Sequence, residues 1–271
     1  MVGLFLLGTR TFHRVREVTH TRFVPPAWAV SLLAIFASWE SISILGFVSP
    51  ERLPPLHEVI MTLAQLGVTP LFIVRVGQSF FNVVIGISLA IVVVMPLALL
   101  VGSRNELDQA LTPIIMLVGA LPDLAILSLL VTFVGRGNVV AIAICAFSAF
   151  FPTYFTIRQG VREIPTEYFH VSSIFQASRV QTFRKVILPS IFPNMVTGLR
   201  LSFEFSWNVL LAVEIIASVA GVGTFISSSL EGPSRSLAYG LAAIMTVGLL
   251  TVAMDRLFFE KLEKRIRKWR A

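Results

Sequence analysis

The sequence predicts an all-α integral membrane protein with about six transmembrane helices. Three observations carry this. Of 271 residues, 55% are hydrophobic and only 14% charged, with a mean hydropathy of +0.83, against roughly a quarter charged in soluble domains. The apolar residues form continuous runs near the roughly 20 residues that a helix needs to cross the hydrocarbon core. The basic residues cluster at the ends of those runs. This composition excludes a disordered chain, a soluble globular domain and a coiled coil. A net charge of +7 raises nucleic acid as a partner, but a membrane accounts better for basic residues placed at span ends.

Six runs are read in order: 27–48, broken by Glu40; 76–101; 110–133, beginning just before Thr112-Pro113; 138–157; 190–219; and 237–259. They are continuous, not alternating ten-residue segments, so a β-barrel does not fit. Backbone in lipid must satisfy its own hydrogen bonds, so the runs are helices. With the N-terminus in the cytoplasm, that side carries 17 Lys and Arg and the other carries 4, with Arg200 inside the fifth span. The expectation is therefore a cytoplasmic segment 1–26, a membrane domain 27–259 with a long cytoplasmic loop 158–189, and a basic cytoplasmic tail 260–271. Membrane lipid is the immediate partner. Of the two extracytoplasmic stretches, 49–71 contains a short helix around His57–Leu66. The other, 220–236, is rich in Gly and Ser and fits a short re-entrant or surface helix.

Other chemistry is sparse. Cys145 is the only cysteine, so no intrachain disulfide and no thiolate metal site can form. His13, His20, His57 and His170 lack ligand spacing, and no P-loop, GxGxxG or nucleophile-elbow pattern occurs. The opening MVGLFLLGTR places its basic residue after the apolar ones, the reverse of a secretory signal. No metal or cofactor is expected in this chain.

The 158–189 loop is the most informative segment. Pro165-Thr166 reads as a helix start. Glu167–Ile174 and Val180–Ile187 can both be helical, with Phe169, Ile174, Phe175, Val180, Phe183, Val186 and Leu188 on an apolar side. Such a two-helix unit suits either a soluble partner's groove or the lipid surface.

Here the chain resembles a known family. Gln176-Ala-Ser-Arg-Val-Gln-Thr-Phe-Arg-Lys-Val-Ile-Leu-Pro189 is similar to the EAA loop of ABC importer membrane subunits, in which Leu-Pro follows a Gly by thirteen residues. The likeness continues through Leu121-Pro-Asp-Leu-Ala125, Phe133-Val-Gly-Arg-Gly137, Phe151-Pro152, Asn194–Arg200, Trp207 and Glu214, over roughly residues 75–265. Together these resemble the nitrate/sulfonate/taurine branch of binding-protein-dependent permeases. The resemblance implies a type I importer-like permease of the bacterial inner membrane with a cytoplasmic coupling helix between spans four and five. It would have no catalysis of its own. Two ATP-binding cassette subunits would supply ATP and Mg chemistry, and an extracytoplasmic solute-binding protein and a second permease subunit would complete the assembly. Coupling to the ATPase would fall on Glu167, His170, Ser173, Gln176, Ala177, Ser178, Phe183, Leu188 and Pro189. The cargo would be a small, anionic solute.

The loop departs from the family pattern in two places. Gln176 stands at the Gly position, where positive φ is free for Gly and costly for Gln, and His170 stands at the Glu position. Such a degenerate loop suits one half of a heterodimeric pore, with a homodimer as the other arrangement.

A charge at mid-span costs about 2.5–3.5 kcal/mol on insertion scales, so it faces protein or water. Glu40, Asp123, Glu204 and Glu214 stand out. Candidate pathway residues are Asp123, Arg200, Glu204, Trp207, Asn208 and Glu214, with Glu204, Trp207 and Asn208 on the pathway side and Glu214 in a structural pairing near the outer end. Arg200 can pair with Glu204 at i,i+4 or attract an anion, and Pro122 can kink its helix. Packing between helices is the bland alternative for all of them. A competing function is an ion-coupled carrier using Glu40, Glu204 and Glu214.

Overall fold

The computed structural model describes residues 27–231 and 236–270; the 1–26 segment, part of the 220–236 stretch and the last residue of the 260–271 tail lie outside them. The chain is helical along almost its whole described length. Its elements are α1 (Ala27–Ile44), α2 (Leu56–Leu66), α3 (Pro70–Ser103), α4 (Asn105–Gly119), α5 (Asp123–Val134), α6 (Asn138–Arg162), α7 (Thr166–Ile174) and α8 (Arg179–Thr182). A π-helical turn (Phe183–Ile187) then leads into α9 (Leu188–Ile216). After α10 (Val222–Glu231), α11 (Leu237–Met254) runs through a second π turn (Asp255–Phe259) into α12 (Glu260–Arg270).

Among the described residues three runs are individually long and apolar enough to cross a membrane: α3, α6 and the continuous 237–265 helix. The expected third span is not one helix. α4 and α5 meet at an 83° bend, because Pro122 cannot donate a backbone hydrogen bond and disfavours helical geometry in the residue before it. α1 has only 18 residues, about 27 Å at 1.5 Å per residue. α9 is long enough but is diluted by Arg200, Glu204 and Glu214. The six apolar runs thus become three clear spans, one broken span, one short helix and one long apolar helix interrupted by charges.

The centre is a layer of α3, α6 and α9, with α6 packed along both neighbours. Small residues let the backbones close in. A Cβ on Gly86 would stand 2.5 Å from that of Cys145, and one on Gly102 would stand 2.9 Å from that of Val161, which sets α3 parallel to α6. On the other flank Ser206 Oγ donates to the Cys145 carbonyl (2.9 Å), Ser202 Oγ donates to the Ala149 carbonyl (2.9 Å) and the Thr153 and Ser202 hydroxyls meet at 2.7 Å, which sets α9 antiparallel. Hydroxyls thereby knit the layer where hydrocarbon alone gives helices little reason to associate.

Gly135 (φ 90°) and Gly137 (φ 139°) form the turn from α5 into α6 with nothing crowding them. Their role is conformational, since side chains rarely adopt those angles. At the same end α1 docks on α2: Trp39 Nε1 donates to the Pro54 carbonyl (3.0 Å) and Ser43 Oγ to the Leu53 carbonyl (2.7 Å). Glu40 accepts the Leu56 N–H at 2.6 Å and meets His57 Nδ1 at 2.6 Å. Its carboxyl thus covers the orphan N-terminal donors of α2.

Candidate functional site

The loop between α6 and α9 folds into a helical elbow. α7 begins at Thr166 with Pro165 before it, and Thr166 makes no side-chain cap. It ends where Ala177 N–H reaches the Ser172 carbonyl (3.0 Å) and Gln176 N–H reaches the Ser173 carbonyl (2.9 Å). This is the Schellman pattern, which requires a left-handed residue at its pivot. The pivot is Gln176, at φ 50°. The family's Gly position therefore keeps its backbone shape here with Gln bearing the strain.

Ser178 then caps α8 in a reciprocal box: its hydroxyl accepts the Gln181 N–H (3.3 Å) while Gln181 Oε1 accepts the Ser178 N–H (2.8 Å). The Ser172 and Thr182 hydroxyls, 2.7 Å apart, tie the two arms together. Glu167, His170, Ser173, Gln176, Ser178 and Pro189 are exposed and Ala177 is partly covered, whereas Phe183 and Leu188 are half-buried where the elbow joins the bundle.

The crown of the elbow lies elsewhere. Ile174 is 77% exposed and Phe175 79%, with Tyr168, Val171 and Val180 also open. Beside them Tyr168, Val171, Phe175, Gln181, Lys185 and Val186 line a groove of about 410 Å³. Apolar tips around a shallow groove are what a protein partner grips. Tyr168 was missed in the sequence because the apolar count there ran over aliphatic residues and Phe.

The deep polar residues fall into separate places. Glu214 is fully buried: Ser79 Oγ donates to Oε1 (2.6 Å) and the Gly223 N–H to Oε2 (2.7 Å), while Ser79 Oγ accepts the Val222 N–H (2.9 Å). The structural pairing expected of Glu214 is thus the binding of the N-terminus of α10 to α9 and α3. Arg200 does not pair with Glu204. It reaches Asp255 (2.6 Å) and Glu263 (3.2 Å) on the last helical run, because a planar guanidinium fork suits two carboxylates better than one neighbour along its own helix.

Glu204 and Asn208 lie exposed on one face of α9 at i,i+4. Trp207 does not share it: it is 2% exposed and stacked on Phe203 (5.7 Å between ring centres), with no partner for Nε1 among the described residues. Asp123 begins α5 and accepts from Ser148 Oγ (3.0 Å).

One cluster escaped the sequence reading. Asp108, buried at the start of α4, bonds Arg158 (Nη2, 2.7 Å, and Nε), Arg162 (2.6 Å) and Thr112 (2.7 Å), and Thr112 meets the Tyr154 hydroxyl at 2.9 Å. It fixes α4 to α6 at the elbow end. In the sequence Arg158 and Arg162 count only among the 17 basic residues of the cytoplasmic side. Their i,i+4 spacing was the available signal. Among the described residues no group of three or more His, Cys, Asp or Glu could hold a metal ion.

Comparison with known proteins agrees with this architecture. Residues 94–268 match the family described as "Binding-protein-dependent transport system inner membrane component". A Bacillus subtilis protein provisionally named aliphatic sulfonates transport permease protein SsuC is 29% identical over 90% of this chain and 88% of its own length. The Escherichia coli taurine transport system permease protein TauC is 25% identical over 94% and 97%, and the Synechocystis nitrate import permease protein NrtB 27% over 89% and 89%. The fold is shared with an inward-facing MetNI methionine ABC transporter structure (TM-score 0.63, 16% identity, covering 72% of this chain and 96% of that one). A bundle built on a three-helix layer, an exposed helical elbow and a sequence match over most of the length lead to one conclusion: the chain belongs to the family of inner membrane components of binding-protein-dependent transport systems.

Proposed function

We propose that this chain forms one membrane half of an ATP-driven importer for a small, anionic solute. The α7–α8 elbow is the seat for an ATP-hydrolysing subunit, and the α2 and α10 end receives the solute from a binding protein. Two ATPase subunits carrying ATP and Mg, and a second permease subunit, identical or related, complete the assembly. Both chain termini face the cytoplasm, in keeping with the 17-to-4 bias of Lys and Arg. The chain itself performs no bond chemistry. It converts movement of the elbow into rigid-body alternation of the helical layer.

The observation that carries this reading is the exposed apolar crown of Ile174 and Phe175 on a strained, doubly tied elbow. The names of the relatives support an anionic cargo. An ion-coupled carrier using Glu40, Glu204 and Glu214 has less support, since Glu40 and Glu214 are both engaged as acceptors for helix N-termini.

The test is Ile174→Asp and Phe175→Asp in the assembled transporter. Either variant should lose ATPase co-purification and uptake while the bundle keeps its thermal stability. Phe183→Asp should instead destabilise the bundle, because Phe183 is half-buried. Retention of the ATPase by both crown variants would refute the seat.

A further inference from the structure

The break between α4 and α5 opens a cavity of about 530 Å³, lined by Asp123, Ser148 and Thr156 together with Phe151, Phe155 and Phe205, among others. It lies well along the length of α6 and opens to one side, where Leu121 and Phe205 are exposed. Ser148 is the eleventh residue of α6, about 15 Å along a helix of about 37 Å. We infer that this cavity is a solute subsite that takes a positively charged ammonium group, so that the cargo is a zwitterion carrying both an acid and an amine and not a simple inorganic anion. This rests on the reading that the chain lines a solute pathway, and it revises the solute from a net anion to one whose acid group is balanced by an amine.

Three features point to a cation. First, one oxygen of Asp123 is met by Ser148 Oγ at 3.0 Å, and the other has no hydrogen-bond or ion-pair partner among the described residues. Second, no Lys or Arg lines the cavity, whereas the other acid clusters, Asp108 and Asp255–Glu263, are each matched by arginines. With no cationic side chain and only the N-terminus of α5 to offset it, this carboxylate repels an anion and attracts an ammonium across a medium of reduced dielectric.

Third, the walls are aromatic, and ring faces attract cations. They are also held in place. Phe151 is fixed edge-on by Phe147 (5.0 Å) and Phe150 (5.3 Å), and Phe155 by Tyr154 (5.2 Å). Gly119 has no room for a Cβ, which would stand 2.8 Å from the Phe151 ring, so the end of α4 lies flat on that ring. The site is pre-formed and needs no rearrangement to accept a small cationic head.

The experiment uses the assembled transporter in lipid nanodiscs with Cys145→Ala removing the native thiol and Leu201→Cys placing one on the cavity wall. Labelling rates are compared for two methanethiosulfonates, one trimethylammonium and one sulfonate, each normalised to a free thiol. The cationic reagent should be favoured by about tenfold, as a single nearby carboxylate predicts, and Asp123→Asn should abolish that preference. Taurine should slow labelling, and ethanesulfonate, which lacks the amine, should not.

Equal rates for the two reagents, or protection by ethanesulfonate as strong as by taurine, would overturn the cation subsite. Absence of labelling would overturn it too, by placing lipid or the second subunit over the cavity. Failure of the elbow reading is separable, because it is scored by ATPase co-purification in the Ile174→Asp and Phe175→Asp variants, which leave this cavity untouched.

Discussion

Gly221→Ala is the sharpest probe of how α10 is held. Gly221 has an ordinary backbone angle, so the substitution introduces no conformational strain, only volume. The new Cβ would overlap both oxygens and Cδ of the Glu214 carboxyl. The carboxyl must swing away, and it then loses the Ser79 hydroxyl at 2.6 Å and the Gly223 N–H at 2.7 Å.

Each hydrogen bond to a carboxylate contributes about 1.5–3 kcal/mol, and a buried group left unpaired adds its desolvation cost. The expected loss is therefore at least about 3–6 kcal/mol. The assay is thermal unfolding in lipid nanodiscs followed by tryptophan fluorescence, where a drop on the order of 10 °C is expected for a chain of this size. Gly77→Ala and Gly248→Ala are the controls. Both glycines are helical with nothing within 4 Å of the added Cβ, so alanine should be neutral or gain up to about 1 kcal/mol of helix propensity. If Gly221→Ala unfolds with the controls, the carboxyl does not occupy the space assigned to it.

Other substitutions test other parts. Gln176→Gly relieves the φ 50° strain and should stabilise the elbow by about 1 kcal/mol, read as slower amide exchange over residues 172–177; faster exchange would contradict a strained pivot. Arg158→Leu leaves Asp108 buried with reduced compensation and should cost about 3–5 kcal/mol in thermal unfolding. Arg200→Leu should cost about 1 kcal/mol or less, because Arg200 and Asp255 are 37% and 38% exposed and water screens them. An equal loss for the two arginine variants would contradict the contrast in burial.

Much of this fold is legible in the sequence because lipid imposes simple rules. Length and apolarity found the helical runs, and local chemistry found α2, α10 and the two arms of the elbow. Gln176 shows how far a single residue reaches: at the position where the resembling family has Gly, the turn is either reshaped or strained, and the backbone keeps the left-handed pivot with Gln in it.

The failures are all matters of distance or direction. Arg200 was offered a partner four residues away, while its carboxylates lie 55 and 63 positions on; local spacing cannot see them. Trp207 was placed beside Glu204 because they are three residues apart. α9 is apolar around much of its circumference, so periodicity did not say which side packs on α6. Pro122 signals the break, but its 83° size is not a property of local sequence, since α4 also packs on another helix where Gly119 meets Phe151.

The run from Arg179 to Ile216 is helical without interruption, about 57 Å if straight. Its softer places, the π turn and the two prolines at 189 and 193, all sit within its first half. Past Pro193 the shaft is clamped to α6 and ends beside the carboxyl that grips α10. A rod jointed near one tip and stiff beyond it is built to carry a push, and in the proposed assembly a displacement entering at the hinge would be delivered beneath α10.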